Sequence, residues 1–187
     1  MNETQRLFFA IEVPEDIKTE LGKFGVTLER PWRPVKTEQM HITLAFMGEV
    51  PASEIEKVKS IGEKAAAAVT EFNLAISDSA VFPESGDPKV LYAQADGGES
   101  LLSLVDALRG PLDALADQKK FKPHLTLARS RGERARKVIR RFRGSWPVQG
   151  FALFRSNLGE NGPHHELLHR YQLKPVEKIL QAEIEEY

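Results

Sequence analysis

The sequence predicts an α+β chain built from two similar halves, and three observations carry that expectation. The run His41-Ile42-Thr43-Leu44 returns as His124-Leu125-Thr126-Leu127, 83 residues further on. Each run alternates a polar residue with an aliphatic β-former, which in a strand sends His and Thr to one face and the aliphatic pair into a core on the other. Around both runs the patterns follow one order: strand, helix, His-x-Thr strand, helix, further strands.

Taken in order, Arg6 to Val13 is apolar and β-like and is closed by Pro14. Glu15 to Leu28 follows as an amphipathic helix, with Ile17, Leu21, Phe24 and Leu28 on one stripe. Pro31-Trp32-Arg33-Pro34 must be loop or sheet edge, because proline withholds a backbone donor. After the first His-x-Thr strand, Ser53-Glu54-Ile55-Glu56 has the pattern of a capping box opening a second helix over Ile55, Val58, Ile61 and Ala65, which ends near Thr70. Glu71 to Ser77 and Lys89 to Ala95 form a hairpin with a tip from Pro83 to Pro88. A third helix buries Leu101, Leu104, Val105 and Leu108, with Gly110-Pro111 expected to interrupt it before Leu112 to Ala116.

Beyond the second His-x-Thr strand, Ala135, Val138, Ile139 and Phe142 share the side of a helix over Glu133 to Phe142. Val148 to Phe154 and His164 to Leu173 read as strands on either side of the turn Gly159-Glu160-Asn161-Gly162. A last amphipathic helix is expected from Pro175 to Tyr187. Lys89 to Leu108 then corresponds to Arg6 to Leu28, as a degenerate duplication requires.

The 187 residues are 41% hydrophobic and 28% charged, a composition of globular rather than disordered or membrane chains. No apolar run approaches the roughly 20 residues needed to span a bilayer. The first residues lack the basic head, apolar middle and cleavage site of a secretory signal, so a cytoplasmic location is expected. With no cysteine, thiol nucleophiles, thiolate metal sites and disulfides are excluded. Net charge is −1, yet Lys119 to Arg143 holds eleven Lys or Arg against the single acid Glu133. Such a cluster is an electrostatic footprint for a polyanion, whether or not one side of it is also buried.

Two imidazoles facing one gap suit a phosphodiester. One neutral His takes a proton while a second, cationic His supplies one near neutral pH. A nearby Thr hydroxyl donates to a phosphate oxygen as charge builds. No metal is needed.

The two runs, with Arg6-Leu7-Phe8-Phe9-Ala10-Ile11, the extension Ala45-Phe46-Met47-Gly48-Glu49-Val50, and Phe121-Lys122-Pro123 before and Ala128-Arg129 after the second, resemble the two-histidine phosphoesterase superfamily. Within it they resemble the RNA 2′,3′-cyclic phosphodiesterases, also called 2′-5′ RNA ligases. That resemblance implies one bilobal phosphoesterase domain over residues 1–187: two pseudo-symmetric lobes, each an antiparallel sheet with helices on its outer face, around a central cleft. It implies His41 as proton donor, His124 as proton acceptor, and Thr43, Thr126 and Arg129 as phosphate-binding. Strict alternation puts Arg129 on the face opposite His124, so it reaches the cleft only if the strand ends or bulges there. The implied substrates are RNA ends or nucleotides with a cyclic phosphate, acted on by a monomer without cofactor or membrane, with reversible 2′-5′ ligation as a further activity.

Two rivals stand beside this. His165-Glu166-Leu167-Leu168-His169 matches H-E-x-x-H, which on a helix gives two zinc ligands and a base. Only Glu177, Glu183, Glu185 and Glu186 remain downstream as a third ligand. The other rival is a non-catalytic protein that binds RNA ends through the basic block, and Trp32, Phe121 and Trp146 are aromatics able to stack on bases.

Overall fold

The computed structural model describes residues 3–117, 119–130, 135–159 and 162–176. The alternating runs become strands and the first three 3.6-period runs become helices, in the order β1 (Thr4–Glu12), α1 (Glu15–Val26), β2 (Arg33–Pro34), β3 (His41–Pro51), α2 (Ile55–Ala68), β4 (Phe72–Phe82), β5 (Val90–Asp96), α3 (Gly98–Leu112), β6 (His124–Arg129), β7 (Arg141–Val148), β8 (Gly150–Gly159) and β9 (Gly162–Gln172). They assemble into two antiparallel sheets of order β3-β1-β8-β9 and β2-β6-β5-β4-β7. In each sheet a His-x-Thr strand pairs with the strand that precedes it across a helix, β3 with β1 and β6 with β5. The duplication expected from the sequence is therefore present in the backbone.

The halves also exchange parts. Strand β4, from the first half, joins the second sheet, while β8 and β9 complete the first. Helix α1 lies between the strands of the first sheet in sequence yet packs on β2 and β6, with Phe24 edge-on to Phe142 at 5.2 Å. Helix α3 in turn packs on α2 and β3, and α2 on β8 and β9. Each sheet is covered by helices on one face, so its other face is left to line the cleft. Leu7, Phe9, Ile11, Ile42 and Leu44 are all at most 1% exposed on the covered side of the first sheet, as Leu125 and Leu127 are on the second. This is the side to which alternation assigns the aliphatic residues of both runs.

Local expectations fail at four places. Residues 135–140 form no helix, and β7 starts at Arg141. Phe142, Gly144, Trp146 and Val148 alternate buried with exposed neighbours along it, and this period of two, paired to β4, outweighs the helical spacing of Ala135 to Phe142. Ile139 is left 92% exposed. At α3, the helix continues through Pro111 to Leu112, since a proline this near the end removes one bond of the last turn only. Ser53 lies in a 3₁₀ turn ahead of α2 and caps nothing, for Glu54 takes the N-cap position without a side-chain bond. The strand expected over Val148 to Phe154 is two strands, β7 ending at Val148 and β8 starting at Gly150. Trp32 and Trp146 are core residues, which removes them as base-stacking platforms. From residue 177 on, the expected tail helix lies outside the described residues, as do Glu160 and Asn161 of the β8–β9 turn.

Candidate active site

His41 is the first residue of β3 and His124 the first of β6, and both runs continue as Leu-Ala. The pairing in each strand slips by one residue just after its threonine. Thr43 faces Ala10 and Ala45 faces Phe9, leaving Leu44 without an opposite. Likewise Thr126 faces Tyr92 and Ala128 faces Leu91, leaving Leu127 without one. A bulge of this kind re-aims the residues that follow it. Arg129 consequently pairs with Val90, two places from Tyr92 along β5, and returns to the face of His124 and Thr126. This is the condition alternation set for Arg129 to reach the cleft.

His41, Thr43, His124, Thr126, Arg129 and His165 line one cavity of about 480 Å³ between the two sheets. Arg33 and Lys36 add positive charge to its wall. Arg33 is brought there because β2 pairs with β6, opposite Arg129. Of the basic block, Arg129 faces this cavity, whereas Lys122 is drawn to Glu84 and Arg141 to Asp78. The block is not one binding face among the described residues.

Both imidazoles are held alike. Nδ1 of His41 lies 2.7 Å from the backbone carbonyl oxygen of Gln39, and Nδ1 of His124 lies 2.7 Å from that of Lys122. A carbonyl can only accept, so Nδ1 carries hydrogen in both rings and Nε2 is the atom left to exchange protons. Each ring also rests on aromatics. His41 is 5.0 Å from Phe8, itself stacked on Phe154. His124 is 5.3 Å from both Phe82 and Tyr92, which stack on each other at 4.2 Å. Gln39 has a second role, since its side-chain amide also donates to the Pro163 carbonyl on β9.

The H-E-x-x-H reading does not survive the strand. Residues 165–169 belong to β9, where a four-residue separation spans roughly 13 Å. A register slip opposite Leu153 and Phe154 also turns the two histidines to opposite faces. His165 packs 5.2 Å from His41 and 4.9 Å from Phe8, in the cleft. His169 packs 4.5 Å from Tyr171, in a hollow beside Glu63 and Ala66 of α2. Glu166 is engaged by Arg155. Among the described residues no group of three or more His, Asp or Glu could hold a metal ion.

His165, Arg33, Lys36 and Gln39 are the site residues that sequence reading missed in this role. The carbonyl two places before each histidine was a repeated feature, but a backbone group leaves no trace in residue identity.

Burial pushes His41 down from 6.5 to about 4 against the pull of the Gln39 carbonyl, and His165, His124 and Arg129 add to the depression. Burial also lowers His124, opposed by the Lys122 carbonyl and assisted by Arg129 and the Lys122 ammonium. Between pH 6.5 and 4 the unfolded chain thus binds protons that the native protein refuses at His41. Stability from this source is complete above pH 6.5 and drains away as pH falls toward 4, at up to about 1.4 kcal/mol per pH unit for one group. Urea midpoints should fall across that window, and His41→Gln should remove about one proton's share of the slope. An unaltered slope would contradict the assignment.

Comparison with known proteins gives a consistent result. The family model of the 2′-5′ RNA ligase superfamily matches residues 15–160. An RNA 2′,3′-cyclic phosphodiesterase of Thermus thermophilus is 34% identical, over 90% of this chain and 90% of its own length. A crystal structure of a Thermus thermophilus protein superposes with a TM-score of 0.84 at 34% identity, covering 91% of this chain and 98% of that one. LigT of Escherichia coli, crystallised with 3′-AMP, superposes with a TM-score of 0.78 at 27% identity, covering 91% and 99%. No helix among the described residues is long and apolar enough to cross a membrane.

Proposed function

The chain belongs to the 2′-5′ RNA ligase superfamily, and on that premise we propose that it hydrolyses the 2′,3′-cyclic phosphate at an RNA terminus to a 2′-phosphomonoester. The observation that carries this reading is the matched pair of imidazoles, each with Nδ1 bound to a carbonyl and Nε2 free, on one cavity between two sheets. His124 Nε2 removes a proton from water, and the water oxygen forms a bond to phosphorus. The bond from phosphorus to O3′ breaks on the far side, and His41 Nε2–H gives O3′ its proton. Thr43 and Thr126 donate to the non-bridging oxygens, and Arg129 balances their charge. With a 5′-hydroxyl in place of water as the attacking group, the same step would join RNA ends 2′-5′, and run backwards it would cleave that linkage to the cyclic phosphate.

His41 must hold a proton to act as the acid, while burial in the cleft favours its neutral form. A bound phosphodiester reverses this preference, because an anion close to a buried imidazole stabilises the cation. Substrate therefore brings the acid its proton. The rate should be bell-shaped in pH, falling on the acid side as the base is protonated and on the alkaline side as the acid is lost.

All of these groups come from one chain, which supports action as a monomer, and the mechanism calls for no metal or cofactor. We place the enzyme in the cytoplasm, in keeping with a chain that has no cysteine. The test is hydrolysis of an oligonucleotide ending in 2′,3′-cyclic phosphate, with and without EDTA. Turnover with a 2′-phosphate product, within about twofold of the same rate in EDTA, is expected. Tight, salt-sensitive binding without turnover would make the protein an RNA-end binder instead.

A further inference from the structure

A smaller cavity of about 340 Å³ opens beside the catalytic one. The two share Lys36, Gln39, Gly162, Pro163 and His165, and the smaller adds Glu38, Gly159 and His164, which do not line the first. Each has the size of a small-molecule pocket in its own right. His165 is the junction: its ring stands edge-on to His41 at 5.2 Å, and its buried Nδ1 has no hydrogen-bond partner. The mechanism gives this ring no work.

The polarity of the substrate decides what lies in the second cavity. A terminal cyclic phosphate occupies O2′ and O3′ of the last ribose, so the rest of the RNA can leave only through O5′. Water attacks from the His124 side and O3′ departs toward His41, so the ribose lies on the His41 side of phosphorus. On that side the neighbouring cavity adjoins the first at His165, beside His41. We propose that this side cavity is a second nucleotide subsite, which takes the residue immediately 5′ of the cyclic-phosphate nucleotide, with Lys36 and His164 facing the connecting phosphodiester and His165 meeting the chain at the junction. Glu38, on the same wall, opposes the anion and limits affinity. The inference rests on the cyclic phosphodiesterase reading and on His41 as the acid, and it makes the enzyme selective for RNA ends over mononucleotides.

The experiment compares kcat/KM for adenosine 2′,3′-cyclic phosphate and for the dinucleotide ApA ending in the same cyclic phosphate, with the full chain. The dinucleotide is expected to be favoured by about tenfold, the worth of one good hydrogen bond to a charged group. His164→Ala, at an exposed position, should cut that ratio severalfold, and Glu38→Gln should raise it. Lys137→Ala serves as the opposite control, because Lys137 lines a different cavity on the His124 side, next to Lys122 and Tyr92. A wild-type ratio near one, or a ratio that follows Lys137→Ala and ignores His164→Ala, would overturn the subsite. If neither compound is hydrolysed, it is the phosphodiesterase reading that fails, and the subsite is then judged by calorimetric Kd values of the same two ligands under the same criteria.

Discussion

His41→Ala and His124→Ala are each expected to lower kcat on a cyclic-phosphate substrate by about 10²- to 10⁴-fold, the range that a positioned proton donor or acceptor supplies. Each change takes away the Nε2 that faces the cavity and leaves the phosphate contacts from the threonines and Arg129 in place, so KM should move far less than kcat. The double variant should be little worse than the poorer single one, because a proton donor without its acceptor, or the reverse, completes no turnover. Which imidazole is the acid is decided by the leaving group. From a 4-nitrophenyl phosphodiester the 4-nitrophenolate departs without needing a proton, so His41→Ala should recover most of the lost rate on it and His124→Ala should not. Recovery in the His124 variant alone would exchange the two roles and move the ribose to the other side of the cleft. Either single variant retaining a tenth or more of wild-type kcat, while folded by circular dichroism, would remove that histidine from the mechanism.

Much of this site was legible because a strand of period two ties chemistry to burial: Ile42 and Leu44, or Leu125 and Leu127, have to enter the core, and this turns His and Thr the other way. Arg129 was legible only as a condition. The slip that returns it to the cleft sits at Leu127, with a twin at Leu44, and neither place carries the glycine that often marks a bulge. His165 was visible as a residue but assigned to the wrong constellation, since H-E-x-x-H has meaning on a helix and the chain there is a strand slipped against Leu153 and Phe154. Residues 135–142 carry two periodicities at once, and pairing to β4 decided between them. The crossing of α1 onto the second sheet and of α3 onto the first depends on contacts between halves, which no local pattern encodes.

The second large effect belongs to the threonines. Thr43→Val and Thr126→Val keep the shape and the β-branch that suit a strand while deleting the hydroxyl. Stability should therefore hold, and the loss should appear in kcat. Removing one preorganised donor from developing negative charge costs on the order of 10²- to 10³-fold. Thr43 and Thr126 belong to different sheets, and in the proposed geometry each holds its own non-bridging oxygen, so their costs should nearly multiply in the double variant, unlike those of the histidines. Serine at either position restores the donor on a freer side chain and should recover most of the rate. Binding of inorganic phosphate, which carries its charge already in the ground state, should weaken much less than kcat falls. If phosphate affinity instead weakened and KM rose in Thr43→Val or Thr126→Val while kcat stayed unchanged, the hydroxyls would be holding substrate and transition state equally, and the source of the transition-state stabilisation would shift to Arg129 and the neighbouring cations Arg33 and Lys36.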